Sequence, residues 1–107
     1  MKLPEIIAEL VSAQNAHNST AFTNCFSPSA IVFDEGKKHI GTSEIKLWNE
    51  KTNKEYNTTL EPLGYEEKET ESILLVNVSG SFDGSPIALH YHLTFENGLV
   101  QTLKITG

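Results

Sequence analysis

The stretch Ala30-Ile31-Val32-Phe33-Asp34-Glu35-Gly36, followed by Lys38-His39-Ile40-Gly41 and a helix-like run up to Trp48, decides how this chain is read. Residues 30 to 34 are an apolar strand, and Glu35-Gly36-Lys37 turns it into a short partner strand near Lys38 to Ile40. Gly41-Thr42-Ser43-Glu44 then opens a helix that carries the single tryptophan. The arrangement puts one carboxylate, Asp34, at the end of an apolar strand where the chain turns. Two roles fit it. A carboxyl at the mouth of an apolar cavity has its pKa raised by desolvation and can serve as a general base. An aspartate at a turn also accepts backbone hydrogen bonds with no further role.

Working outward, Leu3, Ile6, Ile7, Leu10 and Val11 recur at helical spacing after Pro4, which predicts a helix from about Pro4 to Ala16. His17-Asn18-Ser19-Thr20 interrupts it and supplies cap residues for a short second helix through Ala21, Phe22, Cys25 and Phe26, ended by Ser27-Pro28. In the third helix Ile45, Trp48 and Thr52 share one face. The rest predicts strands: 57 to 63, with a bulge or sheet edge at Pro62 and Gly64; a long central strand from 73 to 82; a cleanly alternating one from 87 to 95; and a last one from Leu99 to Thr106 after the Asn97-Gly98 hairpin turn. The cluster Glu61, Glu66, Glu67, Glu69 and Glu71 is expected at a solvated sheet edge. Three helices, a short hairpin and about four antiparallel strands make a single α+β domain over residues 1–107. Its curved antiparallel sheet wraps the helices as a cone and leaves a cavity between the layers.

Composition narrows the function. The net charge is -6, and all eight basic residues are lysines. Nucleic acid and anionic membranes need clustered cations, so neither is an expected partner. The lack of arginine also removes the usual bidentate clamp for phosphate or carboxylate. Cys25 is alone, so no intrachain disulfide forms. With no signal-peptide pattern at the start, a reducing, cytoplasmic setting is expected. No run is long and apolar enough for a membrane span.

The segments His17-Asn18-Ser19-Thr20-Ala21-Phe22, Phe26-Ser27-Pro28-Ser29-Ala30-Ile31-Val32-Phe33-Asp34, Gly41-Thr42-Ser43-Glu44-Ile45 and Phe95-Glu96-Asn97-Gly98-Leu99-Val100 together resemble the nuclear-transport-factor-2-like superfamily. The likeness is to its small ketosteroid-isomerase-like and SnoaL-like (polyketide cyclase) members, and it covers essentially the whole chain. The superfamily hosts isomerases, cyclases, dehydratases and non-catalytic binding domains, so likeness of fold does not choose among them. In isomerase-like members the strand after the second helix ends in the aspartate base, which the resemblance places at Asp34. Their oxyanion tyrosine on the first helix falls at about Leu10, which cannot donate a hydrogen bond. Their protonated aspartate on a late strand falls at about Tyr91, whose hydroxyl can. The resemblance also implies a homodimer through the convex sheet face.

The remaining candidates each have two readings. His90 and His92 lie on one face of a strand. Such a pair holds a metal only with a third ligand, for example His39 or a glutamate. Since Ile87, Leu89, Tyr91, Leu93 and Phe95 should face the cavity, the histidines belong to the convex face, and no metal is expected. Trp48 either packs in the core or stacks on a flat ligand. The site predicted on these grounds has Asp34 and Tyr91 as catalytic groups, lined by Trp48, Phe33, Phe22, Leu10, Leu89 and Phe95. It would bind a small hydrophobic carbonyl compound and isomerise or cyclise it by cofactor-free proton transfer. The rival is a non-catalytic ligand-binding or dimerisation module.

Overall fold

The computed structural model describes residues 2–107. Helix α1 (Glu5–Asn15) starts just after Pro4, whose φ of -55° and missing N–H suit the flank of a helix start. Its inward face buries Ile7, Leu10 and Val11, and with them Gln14. His17 adopts a left-handed φ of 52° at the junction, and its Nε2 donates to the Thr58 carbonyl at 2.8 Å. Asn18 then caps α2 (Ser19–Thr23), its side-chain oxygen accepting the Ala21 N–H at 3.0 Å.

Strand β1 (Phe26–Asp34) begins four residues earlier than the apolar run predicts. Phe26 pairs with Val100, the register slips, and pairing resumes at Ile31. Pro28 falls in the slipped segment, where a missing N–H is tolerated. Then come β2 (Lys37–Ile40) and α3 (Gly41–Tyr56), which ends on Asn57 in the left-handed conformation at φ 52°. Strands β3 (Thr59–Glu67), β4 (Ser72–Ser79), β5 (Ile87–Glu96) and β6 (Leu99–Thr106) complete the chain. Strand β3 runs further than predicted, because the register shift between Pro62 and Gly64 lets pairing continue to Glu67. Strand β4 stops short of the predicted end. Gly80 packs so tightly on α3 that a Cβ there would lie 2.5 Å from the Tyr56 carbonyl oxygen, and the chain turns away.

The six strands form one curved, open sheet in the order β2-β1-β6-β5-β4-β3. Its pairs are antiparallel except β1 with β6, which run parallel; β2, α3 and strands β3 to β5 separate them in sequence, long enough for a crossover. The edge strand β3 carries Glu61, Glu66 and Glu67, as the acidic pattern predicts, whereas Glu71 turns back towards His92. Period-two alternation sends Val32, Leu74, Val76, Val78, Tyr91, Leu93 and Leu103 to the concave side, where they meet Ile7, Leu10, Phe22 and Ile45. Each fully buried aliphatic chain contributes about 1.5–3 kcal/mol of transfer free energy. The core fills one end of the wrapped sheet and leaves the end beside α3 open.

Candidate functional site

The site follows from alternation along β1. Ala30 and Val32 point inward and are completely buried, so Asp34, two further on, points inward too, past the edge of the core. Its cross-strand partner is Lys37, and Val32 faces His39, so Lys37 and His39 share that inward side. From α3, Trp48 reaches across and donates its Nε1–H to Asp34 Oδ2 at 3.3 Å. Aromatic rings then run from core to rim: Phe26 to Phe22 at 5.2 Å, Phe22 to Trp48 at 6.1 Å, and Trp48 to His39 at 5.6 Å, the last pair stacked. From β5, Tyr91 lines the same space. A cavity of about 780 Å³ lies between these groups, walled on its apolar side by Phe22, Trp48, Leu89, Tyr91 and Ile105.

The electrostatics of this end are set by burial. Desolvation pushes the Asp34 carboxyl above its ordinary pKa, and the charge of Glu35 adds to it. The Trp48 hydrogen bond, the field of His39 and the Glu35 backbone amide oppose that rise without cancelling it. Tyr91 is also raised, by burial and then by the nearby Asp34 charge, so its phenol stays protonated and able to donate. No described group hydrogen-bonds the Tyr91 hydroxyl, and every sealed polar side-chain atom has a partner, so this hydroxyl borders the cavity. A proton acceptor and a proton donor thus face one cavity, beside its apolar wall.

The opposite end is polar and fully committed. Gln14 Nε2 donates to the Thr58 carbonyl at 3.0 Å and to Asn53 Oδ1 at 2.7 Å. Asn53 Nδ2 donates to Asn49 Oδ1 at 3.1 Å, and Asn49 Nδ2 returns to Gln14 Oε1 at 2.7 Å. Three side-chain amides therefore close a head-to-tail ring. The Thr58 carbonyl, which can only accept, fixes its direction. Ser19 adds a bond to Asn49 Oδ1 at 2.6 Å. At the mouth, Tyr56 meets Phe82 edge to face at 6.0 Å, and the Ser81 N–H binds the Tyr56 carbonyl at 2.7 Å.

No protein-family profile matches the chain, and no curated protein does. Solved structures do. A Sinorhizobium meliloti protein proposed to be a polyketide cyclase is 32% identical, with 97% of this chain and 95% of that one covered at a TM-score of 0.92. This chain belongs to the SnoaL-like, ketosteroid-isomerase-like family of the nuclear-transport-factor-2-like superfamily. A Catenulispora acidiphila protein with the ketosteroid-isomerase-like fold, solved with trimethylamine, shares 17% identity over 99% of this chain and 87% of its own, at a TM-score of 0.87. A cystatin-fold protein from Novosphingobium aromaticivorans shares 14% over 96% of both chains, at 0.80. At these identities the last two speak for the fold alone.

In this SnoaL-like domain five of the eight sequence-predicted site residues meet at one cavity: Asp34, Tyr91, Trp48, Phe22 and Leu89. Three do not. Phe33 alternates with Asp34 and so points to the convex side, where Lys38 lies over its ring at 5.8 Å. Leu10 is sealed in the core between α1 and the sheet. Phe95 lies past a shift in the β5–β6 register, where Gln101 of β6 is left unpaired beside the hairpin, and is exposed. Among the described residues no three His, Cys, Asp or Glu side chains converge as a metal site, and His92 bonds Glu71 and Thr106 instead.

Sequence reading missed Gln14, Asn49 and Thr58 as cavity residues, and took His39 only as a possible metal ligand. A signal existed for two of them. Gln14 lies four residues after Leu10, and Asn49 four after Ile45, so both continue buried helix stripes with a polar side chain.

Proposed function

We propose that this domain binds a small hydrophobic carbonyl compound in the cavity and moves one of its protons without a cofactor, leading to isomerisation or cyclisation. The observation that carries the reading is a half-buried Asp34, held by Trp48, lining the same cavity as an unpartnered Tyr91 hydroxyl. Asp34 takes a proton from the carbon next to the carbonyl. The C–H electron pair forms the C=C bond of an enolate as the carbonyl π pair moves onto oxygen, and the Tyr91 O–H stabilises the developing negative charge. Return of the proton to another carbon isomerises the compound; alternatively the enolate carbon attacks a second carbonyl, a C–C bond closes the ring, and the proton held on Asp34 passes to the new alkoxide. Trp48 and Phe22 supply flat apolar walls. The same features, with Asp34 as a turn residue accepting the Trp48 and Glu35 N–H groups, also support the non-catalytic binding module.

One experiment separates the two. Polycyclic ketones and 1,3-diketones are incubated with the protein in D2O, and deuterium uptake at the α-carbon is followed by NMR, with Trp48 emission reporting binding. The proton-transfer reading expects exchange that Asp34→Asn slows by about 10²–10⁴-fold. A compound that binds but exchanges no faster with the native protein than with Asp34→Asn would establish the binding module instead.

Two further expectations belong to this proposal. The convex face around Ile73, Leu75, His90 and His92 is the surface proposed for a homodimer. Its support is the apolar side chains set among the histidines. Light scattering giving a monomer mass at pH 7.5 would refute it. No helix among the described residues is long and apolar enough to cross a membrane, and a cytoplasmic setting is the one we propose for a chain with a lone, buried cysteine. Fractionation of the expressing cells tests it, and recovery outside the cytosol would count against it.

A further inference from the structure

His39 carries information that the proposed chemistry does not use. It faces Val32 across the β1–β2 hairpin and is a diagonal neighbour of Asp34 on the same side. Diagonal neighbours of this kind are roughly 7–8 Å apart. The imidazole lies on the Trp48 indole with centroids 5.6 Å apart and planes at 28°, while the indole Nε1–H is spent on Asp34. Imidazole, indole and carboxylate all border the cavity.

We propose that His39 is a positioning residue for Asp34: its ring holds the indole against the carboxylate, and the protons on the imidazole and the carboxyl are linked. The inference rests on the reading of Asp34 as the base, whose usefulness depends on how tightly it holds a proton. An imidazolium at position 39 draws on the Asp34 charge and lies over the electron-rich indole face. A neutral imidazole does neither. The field of His39 is accordingly among the influences that favour ionised Asp34.

Other charged groups face the same space. Glu35 follows β1, and Lys37 sits on β2 directly across from Asp34. Glu44 and Lys51 come from α3, and the Tyr91 phenol from β5. Glu44 is engaged by the Ile40 N–H at 2.9 Å, and Lys51 by Glu55 at 3.9 Å. Lys37 and Glu35 bring opposite charges to this space, so the Asp34–His39 link must be isolated by substitution.

Trp48 is the only tryptophan, so its emission reads this stack with no ligand present. Emission is followed from pH 8 to pH 5, with far-UV circular dichroism confirming the fold at each step. A fall is expected as the imidazole takes its proton, because a contacting imidazolium quenches indole. His39→Gln should abolish the step. If that variant does not fold, His39→Phe keeps a stacked ring that cannot titrate. Asp34→Asn should move the midpoint to lower pH by about 0.5 unit or more, the size expected for one charge at this separation in a half-buried site. The proposal is overturned if the native protein shows no step, if the step survives loss of His39, or if Asp34→Asn leaves the midpoint in place. The titration needs no substrate. Its failure leaves proton transfer by Asp34 standing, and a lack of α-carbon exchange leaves the titration standing.

Discussion

Asn49→Asp tests the amide ring directly. The substitution keeps shape and volume and exchanges one N–H donor for an oxygen. In the native protein Asn49 Nδ2 donates to Gln14 Oε1 at 2.7 Å, and Gln14 cannot flip to compensate, because its Nε2 is anchored on the Thr58 carbonyl. The new carboxyl can complete the ring only while protonated. Position 49 is almost completely buried, so ionisation there is opposed both by burial and by the facing carbonyl oxygen. The folded-state pKa therefore rises above the unfolded value of about 3.9. With that sign the folded state holds the extra proton, and stability falls as pH rises from the unfolded pKa. The fall is about 1.4 kcal/mol per pH unit until the folded pKa is passed. From pH 4 to pH 7 the limit is about 4 kcal/mol, a large share of the roughly 5–15 kcal/mol that holds a domain together. Urea denaturation of variant and native protein at pH 4, 5.5 and 7 measures the difference, which cancels the titration of the other carboxylates. A difference near zero at pH 4 that grows to about 2–4 kcal/mol at pH 7 is expected. Asn49→Ala, with nothing to titrate, should be destabilised at all three. An Asn49→Asp penalty that stays constant within about 0.5 kcal/mol refutes the assigned ring direction.

Asp34→Asn should behave in the opposite sense. Burial raises the native Asp34 pKa, so the native protein loses stability as pH climbs out of the ordinary carboxylate range. The variant escapes this loss while still accepting the Trp48 N–H, and its Tm advantage should widen from pH 4 to pH 7; an advantage that shrinks would refute the burial argument. Burial, helped by the charge of Glu9, pushes the Cys25 thiol up to about 11, leaving little thiolate at neutral pH. Labelling by a disulfide reagent at pH 7.5 should be slow in the native state and fast in urea, and equal rates would show the thiol to be accessible.

The element order could be read from the sequence because each signal was local. The period-four stripe of α1, the Asn18 cap, the Asn97-Gly98 turn and the alternation in β5 all act within a few residues. The orientation of Asp34 followed from the same alternation, and Trp48 from its place on the Ile45 face. What depended on distant partners was less visible. The parallel pairing of β1 with β6 brings together residues about seventy positions apart. Phe33 was misplaced although alternation with Asp34 already excluded it from the cavity. Phe95 was misplaced because a bulge shifts the register two residues before the hairpin turn. Leu10 was assigned from the family's motif, and the family's position there is filled here by a core leucine. The amide ring was only partly legible. Gln14 on α1 and Asn49 on α3 continue buried stripes, but that they and Asn53 of α3 bond one another depends on two helices meeting across the fold.

That ring has a consequence for how the sequence can drift. Gln14, Asn53 and Asn49 each give one hydrogen bond to the next and take one from the last, so no member has a neutral single replacement, whereas an apolar trio of matching volume would be self-consistent. Positions 14, 49 and 53 should therefore show strong epistasis: across relatives they are kept or exchanged as a set. Exchanging them would turn the polar end of the cavity into an apolar one in a single evolutionary step, and so redraw which molecules fit.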